Sequence, residues 1–177
     1  MEHLGDDRLG RALDRLFDAD RAALLTELVL AAGQRFGVRF DEFHNDSTSI
    51  SFCGSYRGAG GRQIRGRSAP AITYGRSKAH RPDLKQLLFI LTMSADGSVP
   101  VAFRCSSGNT SDSVTHIETW NTLRAVAGRS DFLYVADSKL CSRDNLDHIH
   151  SRGGRLLTVL PRSRLEDRHF RRWLQTH

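Results

Sequence analysis

The chain has 177 residues, of which 39% are hydrophobic and 26% charged, with a formal net charge of +6. That length suits one medium domain with a small appendage and can bury a real core. No apolar run approaches the roughly 18–20 residues of a membrane span, and the acidic start Met1-Glu2-His3-Leu4-Gly5-Asp6-Asp7 lacks the basic and apolar regions of a signal peptide, so an intracellular protein is expected.

The basic balance, mostly arginine, favours a polyanionic partner, because Lys and Arg neutralise phosphates and release counterions. Cys53, Cys105 and Cys141 are widely spaced, odd in number and form no CxxC pair. A zinc knuckle or a disulfide framework is therefore not expected, and the three are read as reduced, space-filling residues.

Taken in chain order, residues 8–35 read as two helices. Leu9, Leu13, Leu16 and Phe17 fall at helical spacing, and Asp18 or Asp20 caps a second run from Arg21 to Phe36. Val38 to His44 suggests a strand, Asn45-Asp46-Ser47-Thr48 ends or bends it, and Ser49 to Cys53 is strand-like again until Gly54. Residues 54–70 hold five glycines and four arginines with few apolar residues. They read as a long mobile loop, either a plain connector or a basic segment that orders on nucleic acid.

Leu87 to Met93 is a compact apolar run and reads as a buried strand. Asp96-Gly97 signals a hairpin, and Val99 to Cys105 returns. Asp112 or Ser113 caps a helix that runs through Trp120 and Leu123 to Gly128. Asp131 to Asp137 is a strand ending in a carboxylate. Ser142 to Arg152 reads as a helix, Leu156 to Leu160 as a strand closed by Pro161, and Arg162 to His177 as a basic helical tail. One hairpin followed by strands alternating with helices predicts a mixed α/β sheet.

Two carboxylates stand out. Asp46 lies near the end of the first strand and Asp137 at the C-terminal end of a later apolar one. In open α/β sheets ligands gather at such edges, and hard oxygen ligands suit Mg²⁺ or Mn²⁺. Paired metals about 3.5–4 Å apart serve phosphodiester displacement. The plainer alternative is that Asp46 caps a turn and Asp137 the following helix. Other candidates are weaker. Asp83 and Asp112 lie in loops, with Asp112 a good helix cap. His44, His80 and His116 lack metal-type spacing, as does His148-Ile149-His150. The chain has no P-loop, no GxGxxG after a strand and no G-x-S-x-G frame.

Between these carboxylates lies a basic segment, Gly75-Arg76-Ser77-Lys78-Ala79-His80-Arg81-Pro82-Asp83-Leu84-Lys85-Gln86. Arg76, Lys78, Arg81 and Lys85 put several donors ahead of a buried strand, which suits phosphate contacts that position DNA without reading its sequence. An ordinary solvated loop is the alternative.

Together with Phe43-His44-Asn45-Asp46-Ser47-Thr48-Ser49, Gly108-Asn109-Thr110-Ser111-Asp112 and Phe132 to Leu140, that segment resembles the blocks of DDE-type insertion-sequence transposases. The match is to the branch whose last catalytic segment follows a long β-rich insertion. It covers roughly residues 38–161, and the order and spacing of the blocks carry it. The resemblance implies a ribonuclease H-like mixed sheet with flanking helices, preceded by a small helical lead-in. It divides the chain into a lead-in at 1–36, an incomplete catalytic domain at 37–161 and the start of the insertion region at 162–177.

It further implies an Asp-Asp-Glu triad in which Asp46 and Asp137 are the first two catalytic, metal-binding members. Mg²⁺ or Mn²⁺ is the implied cofactor. Double-stranded DNA, both transposon ends and target, is the implied partner, bound by a homodimer of the intact parent at the prokaryotic nucleoid in the cytoplasm. The family's glutamate lies in a Tyr-x-x-Arg-x-x-x-Glu pattern that this sequence does not show, and Glu166, which lacks that tyrosine and arginine, is not given the role. The chain is therefore expected to be a catalytically impaired copy. A non-catalytic DNA-binding remnant, or a different nuclease of the same fold using Glu166, stays open.

Overall fold

The computed structural model describes residues 5–78 and 80–176. It divides into two compact units, Met1–Val38 and Arg39–His177.

The first unit is a pair of helices, α1 (Asp6–Asp18) and α2 (Arg21–Phe36). Leu9, Leu13 and Leu16 repeat at the spacing that lines one helix face. Asp20 is the cap between the two, its Oδ1 accepting from the Ala23 N–H at 3.1 Å, which satisfies one of the helix's orphan donors. Both expected helices are present.

The second unit is built on a five-stranded mixed sheet. Its strands are β1 (Glu42–Phe52), β4 (Lys85–Ser94), β5 (Pro100–Ser107), β6 (Leu133–Ala136) and β7 (Arg155–Thr158). The order across the sheet is β5-β4-β1-β6-β7. β1 is antiparallel to β4, which is antiparallel to β5, whereas β6 and β7 run parallel to β1. The helices α3 (His116–Ala127) and α4 (Arg143–His150) lie between the later strands in sequence and pack against β5 and β7 respectively. A last helix, α5 (Leu165–Thr176), follows. This is the α/β class expected, a mixed five-stranded sheet with flanking helices.

Four local expectations are corrected. First, β1 does not end or bend at Asn45–Thr48. It pairs without interruption with β4 from Phe43↔Ser94 to Phe52↔Lys85. The polar residues there alternate, so Asn45 sits in the core face and Asp46 and Thr48 on the exposed one, and ladder pairing with an apolar neighbour overrides their weak strand propensity. Second, the 54–70 stretch holds a small hairpin, β2 (Gln63–Ile64) with β3 (Arg67–Ser68). Its turn places Arg65 and Gly66 at φ 49° and 75°, the positive pair of a tight hairpin turn.

Third, the strand that returns from the Asp96-Gly97 turn starts at Pro100, one residue later than expected, with Gly97 and Ser98 at φ 69° and 50°. Fourth, Asp112 does not cap α3. It opens a separate 3₁₀ turn (Asp112–Val114), and Thr115 is the residue before the helix.

The core lies on one face of the sheet. Phe43 from β1, Ile90 from β4, Val101 from β5 and Tyr134 from β6 meet Trp120 and Leu123 from α3, with Phe132 beside them, and all are buried. Phe132 stands edge-on to Phe43 at 5.0 Å between ring centroids. Burying each such side chain stabilises by roughly 1.5–3 kcal/mol, so this cluster fixes β1 against β6. Within it Thr92 donates to Asn45 Oδ1 at 2.8 Å, which keeps two buried polar groups satisfied.

Candidate functional site

The parallel ladder of β1 and β6 runs from Glu42↔Leu133 to Asn45↔Ala136. The next residue on each path is Asp46 and Asp137. Both are exposed, which is the inexpensive state for two like charges brought to neighbouring strands. Asp46 Oδ1 accepts from the Ser47 N–H at 2.7 Å, and Asp137 Oδ1 accepts from the Lys139 N–H at 2.9 Å. Among the described residues, the second oxygen of each carboxylate accepts no hydrogen bond.

The turn after β6 is held from several sides. The Asp137 carbonyl accepts from the Leu140 N–H at 3.1 Å and from Thr158 Oγ1 of β7 at 2.6 Å, and Leu140 is fully buried. Asp137 does not cap α4: Ser142 does, accepting from the Asn145 N–H at 3.4 Å. The alternative reading of Asp137 as a helix cap is thereby removed.

Asp137 lines a cleft of about 490 Å³ together with Arg76, Lys78, Gln86, Asp112 and Lys139, among others. Of the residues singled out in the sequence, Asp137, Arg76 and Lys78 line this cleft, whereas Asp46, Arg81 and Lys85 do not. Asp46 touches the arrangement through its neighbour. Ser47 donates to Asp112 Oδ2 at 2.9 Å and accepts from Lys78 Nζ at 2.8 Å, and Lys78 also donates to the Ser47 carbonyl. Lys78 and Asp112 complete the triangle as an ion pair at 3.0 Å.

The cleft owes its shape to a close backbone approach. A Cβ on Gly75 would stand 1.8 Å from the Gly108 carbonyl oxygen, and one on Gly108 would stand 2.0 Å from that of Gln86. Only glycine allows these three segments to stack. Gln86, buried on β4, ties them by donating to the Gly108 carbonyl at 2.8 Å. The Gly75–Gln86 and Gly108–Asp112 blocks are thus one structural unit around the end of β4.

Arg81 and Lys85 have other partners. Arg81 forms a two-pronged pair with Asp83 at 2.8 and 2.6 Å, which holds the guanidinium pKa up and the Asp83 carboxyl down. Lys85 donates to the carbonyls of Ser55 and Tyr56 at 2.6 and 3.3 Å. Glu166 is similarly occupied: Arg164 grips it at 3.0 and 3.3 Å and lowers its pKa.

Beneath the cleft, the His116 ring meets Tyr134 Oη at 3.0 Å. Burial lowers the His116 pKa, against the opposing pull of the Asp137 and Asp112 charges. Burial likewise pushes the Tyr134 phenol up, opposed by Arg104 and reinforced by Asp137. The pair is therefore neutral at physiological pH and buttresses β6 just before Asp137.

Sequence reasoning missed Asp112 and Lys139. Asp112 reads as a helix cap, and the long-range partner that claims it, Lys78, leaves no periodic signal. Lys139 sits inside a block that carries the resemblance but has no chemical argument of its own.

No family model matches the sequence, and no curated protein matches it. Among solved structures, the chain is similar to the Mos1 transposase paired-end complex with left transposon end, at 12% identity and a TM-score of 0.41, covering 89% of this chain and 53% of that one. It is similar to the Mos1 mariner paired end complex with Mn, at 15% identity and a TM-score of 0.42, covering 77% of this chain and 41% of that one. It is also similar to the Mos1 strand transfer complex, at 15% identity and a TM-score of 0.41, covering 88% and 46%. The chain thus spans about half the length of these structures. Among the described residues, no helix is long and apolar enough to cross a membrane.

Proposed function

We propose that the chain carries the first two carboxylates of a DDE-type DNA transposase domain, Asp46 and Asp137, for metal-dependent strand cleavage and strand transfer at insertion-sequence ends. The observation that supports this reading is their position: each is the first residue past the same parallel ladder, on neighbouring strands, and each keeps one oxygen uncommitted. That is a hard-oxygen donor pair. Mg²⁺ is commonly held by one or two carboxylates while keeping several waters, so the residues present fit such an ion. The pair supplies two of the three carboxylates that the resemblance implies, and the activity of this chain is proposed to be impaired.

A divalent cation held by Asp46 and Asp137 would supply charge stabilisation at the attacking and leaving oxygens of a phosphodiester. The chain's own residues do the rest. Ser47 and Lys139 orient the two carboxylates through their backbone N–H groups. Of the basic residues proposed to contact DNA, Arg76 and Lys78 lie in the cleft wall and Arg81 and Lys85 outside it, and their positive charge attracts DNA backbone.

The test is binding of a fluorescent duplex with and without Mn²⁺. The reading predicts that Mn²⁺ strengthens binding by the wild-type chain and leaves Asp46→Asn and Asp137→Asn unaffected. Binding that ignores Mn²⁺ in all three proteins would favour a DNA-binding module without metal chemistry.

A further inference from the structure

The cationic side chains in and next to the cleft are not equivalent. Lys78 is consumed by Asp112 and Ser47, Arg81 by Asp83, and Lys85 by two backbone carbonyls. Moving any of these to a phosphate exchanges one good partner for another, so the gain is small. Lys78 also pins the strand that carries Asp46, and removing it would leave Asp112, 14% exposed in its side chain, without its counter-charge.

Arg76 and Lys139 differ. Both line the cleft and both are exposed. No hydrogen bond or ion pair among the described residues engages either head group. They come from different segments of the wall, Arg76 from the stretch that the Gly75–Gly108 approach clamps to β4, and Lys139 from the turn after β6. Their backbones are anchored while their charges are uncommitted, so binding a phosphate displaces no internal partner. Lys139 has a second link: its N–H holds Asp137 Oδ1 at 2.9 Å.

We infer that Arg76 and Lys139 are the residues that grip the nucleic-acid backbone in this cleft, and that Lys139 is a positioning residue coupling that backbone to the Asp137 carboxylate. Lys78 is the internal brace of the site. This inference rests on the nucleic-acid reading proposed for the cleft and narrows it to two cations, one of them outside the basic segment.

The experiment measures affinity for a fluorescein-labelled duplex of arbitrary sequence across a series of KCl concentrations, without divalent metal. Removing one cation that neutralises a phosphate lowers the slope of log K against log salt by about 0.9 for duplex DNA. Lys139→Met and Arg76→Met are each expected to lower it by that amount with an unchanged melting temperature, and Lys139→Arg to restore it. Lys78→Met is expected to lower the melting temperature and keep the slope. An unchanged slope in Lys139→Met, with the wild-type chain still binding in a salt-dependent way, overturns the inference and leaves the DNA reading standing. A wild-type chain with no salt-dependent binding overturns both.

Discussion

Ser47 and Asp112, sixty-five residues apart in the chain, share a 2.9 Å hydrogen bond with Lys78 closing the triangle. The bond ties the strand of Asp46 to the loop after β5. It explains why two sequence blocks separated by a whole hairpin serve one site.

Asp112→Ala should therefore destabilise the fold rather than act only at the surface. The Lys78 and Asp112 side chains are 38% and 14% exposed, so solvent screens part of the pair. A cost of about 1–2 kcal/mol follows from a charged hydrogen bond discounted for that exposure. Urea denaturation of Lys78→Met, Asp112→Ala and the double variant measures it. Additive losses in the cycle would mean the two residues do not act together.

Gly75→Ala should be more damaging than its place in a loop suggests. The new methyl meets the Gly108 carbonyl oxygen at 1.8 Å as well as the Gln86 side-chain amide at 2.7 Å, so backbone segments must separate. The expected loss is about 1–3 kcal/mol, typical of overpacking that shifts backbone. A melting temperature equal to that of the wild-type chain would show that the stack can open freely.

His116 sets a pH dependence. Burial lowers its folded-state pKa below the ordinary value near 6.5, so the unfolded chain binds the proton more readily. Its contribution is fully present above the unfolded value and is lost as pH falls from there through the folded value. Thermal melts should decline on acidification below about pH 6.5, and His116→Gln should flatten that decline. A steeper decline in His116→Gln would reverse the assignment.

Glu166→Gln should leave metal and DNA binding unchanged, because its carboxylate is committed to Arg164 on the surface. Loss of Mn²⁺ binding in that variant would instead support a complete triad using Glu166.

Much of the fold is legible in the sequence because its signals are local. The apolar run Leu87–Met93 and the strand ending at Asp137 declare themselves by composition, and Ser142 and Gly128 bound their helices by known end chemistry. Asp46 stands out by pattern, yet its setting does not: Asn45 to Thr48 looks like a turn, and only pairing with β4 makes it strand interior. The cleft is less legible still. Lys78's partner, the Gly75–Gly108 stack and the uncommitted charge of Lys139 all arise from residues distant in sequence, where spacing carries no information.

The most direct test of the central claim, that Asp46 and Asp137 share one divalent cation, is Mn²⁺ titration followed by electron paramagnetic resonance. It compares the wild-type chain, Asp46→Asn, Asp137→Asn and the double variant. Even outer-shell changes cost about 10–100-fold in metal affinity, so each single variant should lose at least that much, and the double variant little more than either. Equal Mn²⁺ affinity in all four proteins would contradict the claim.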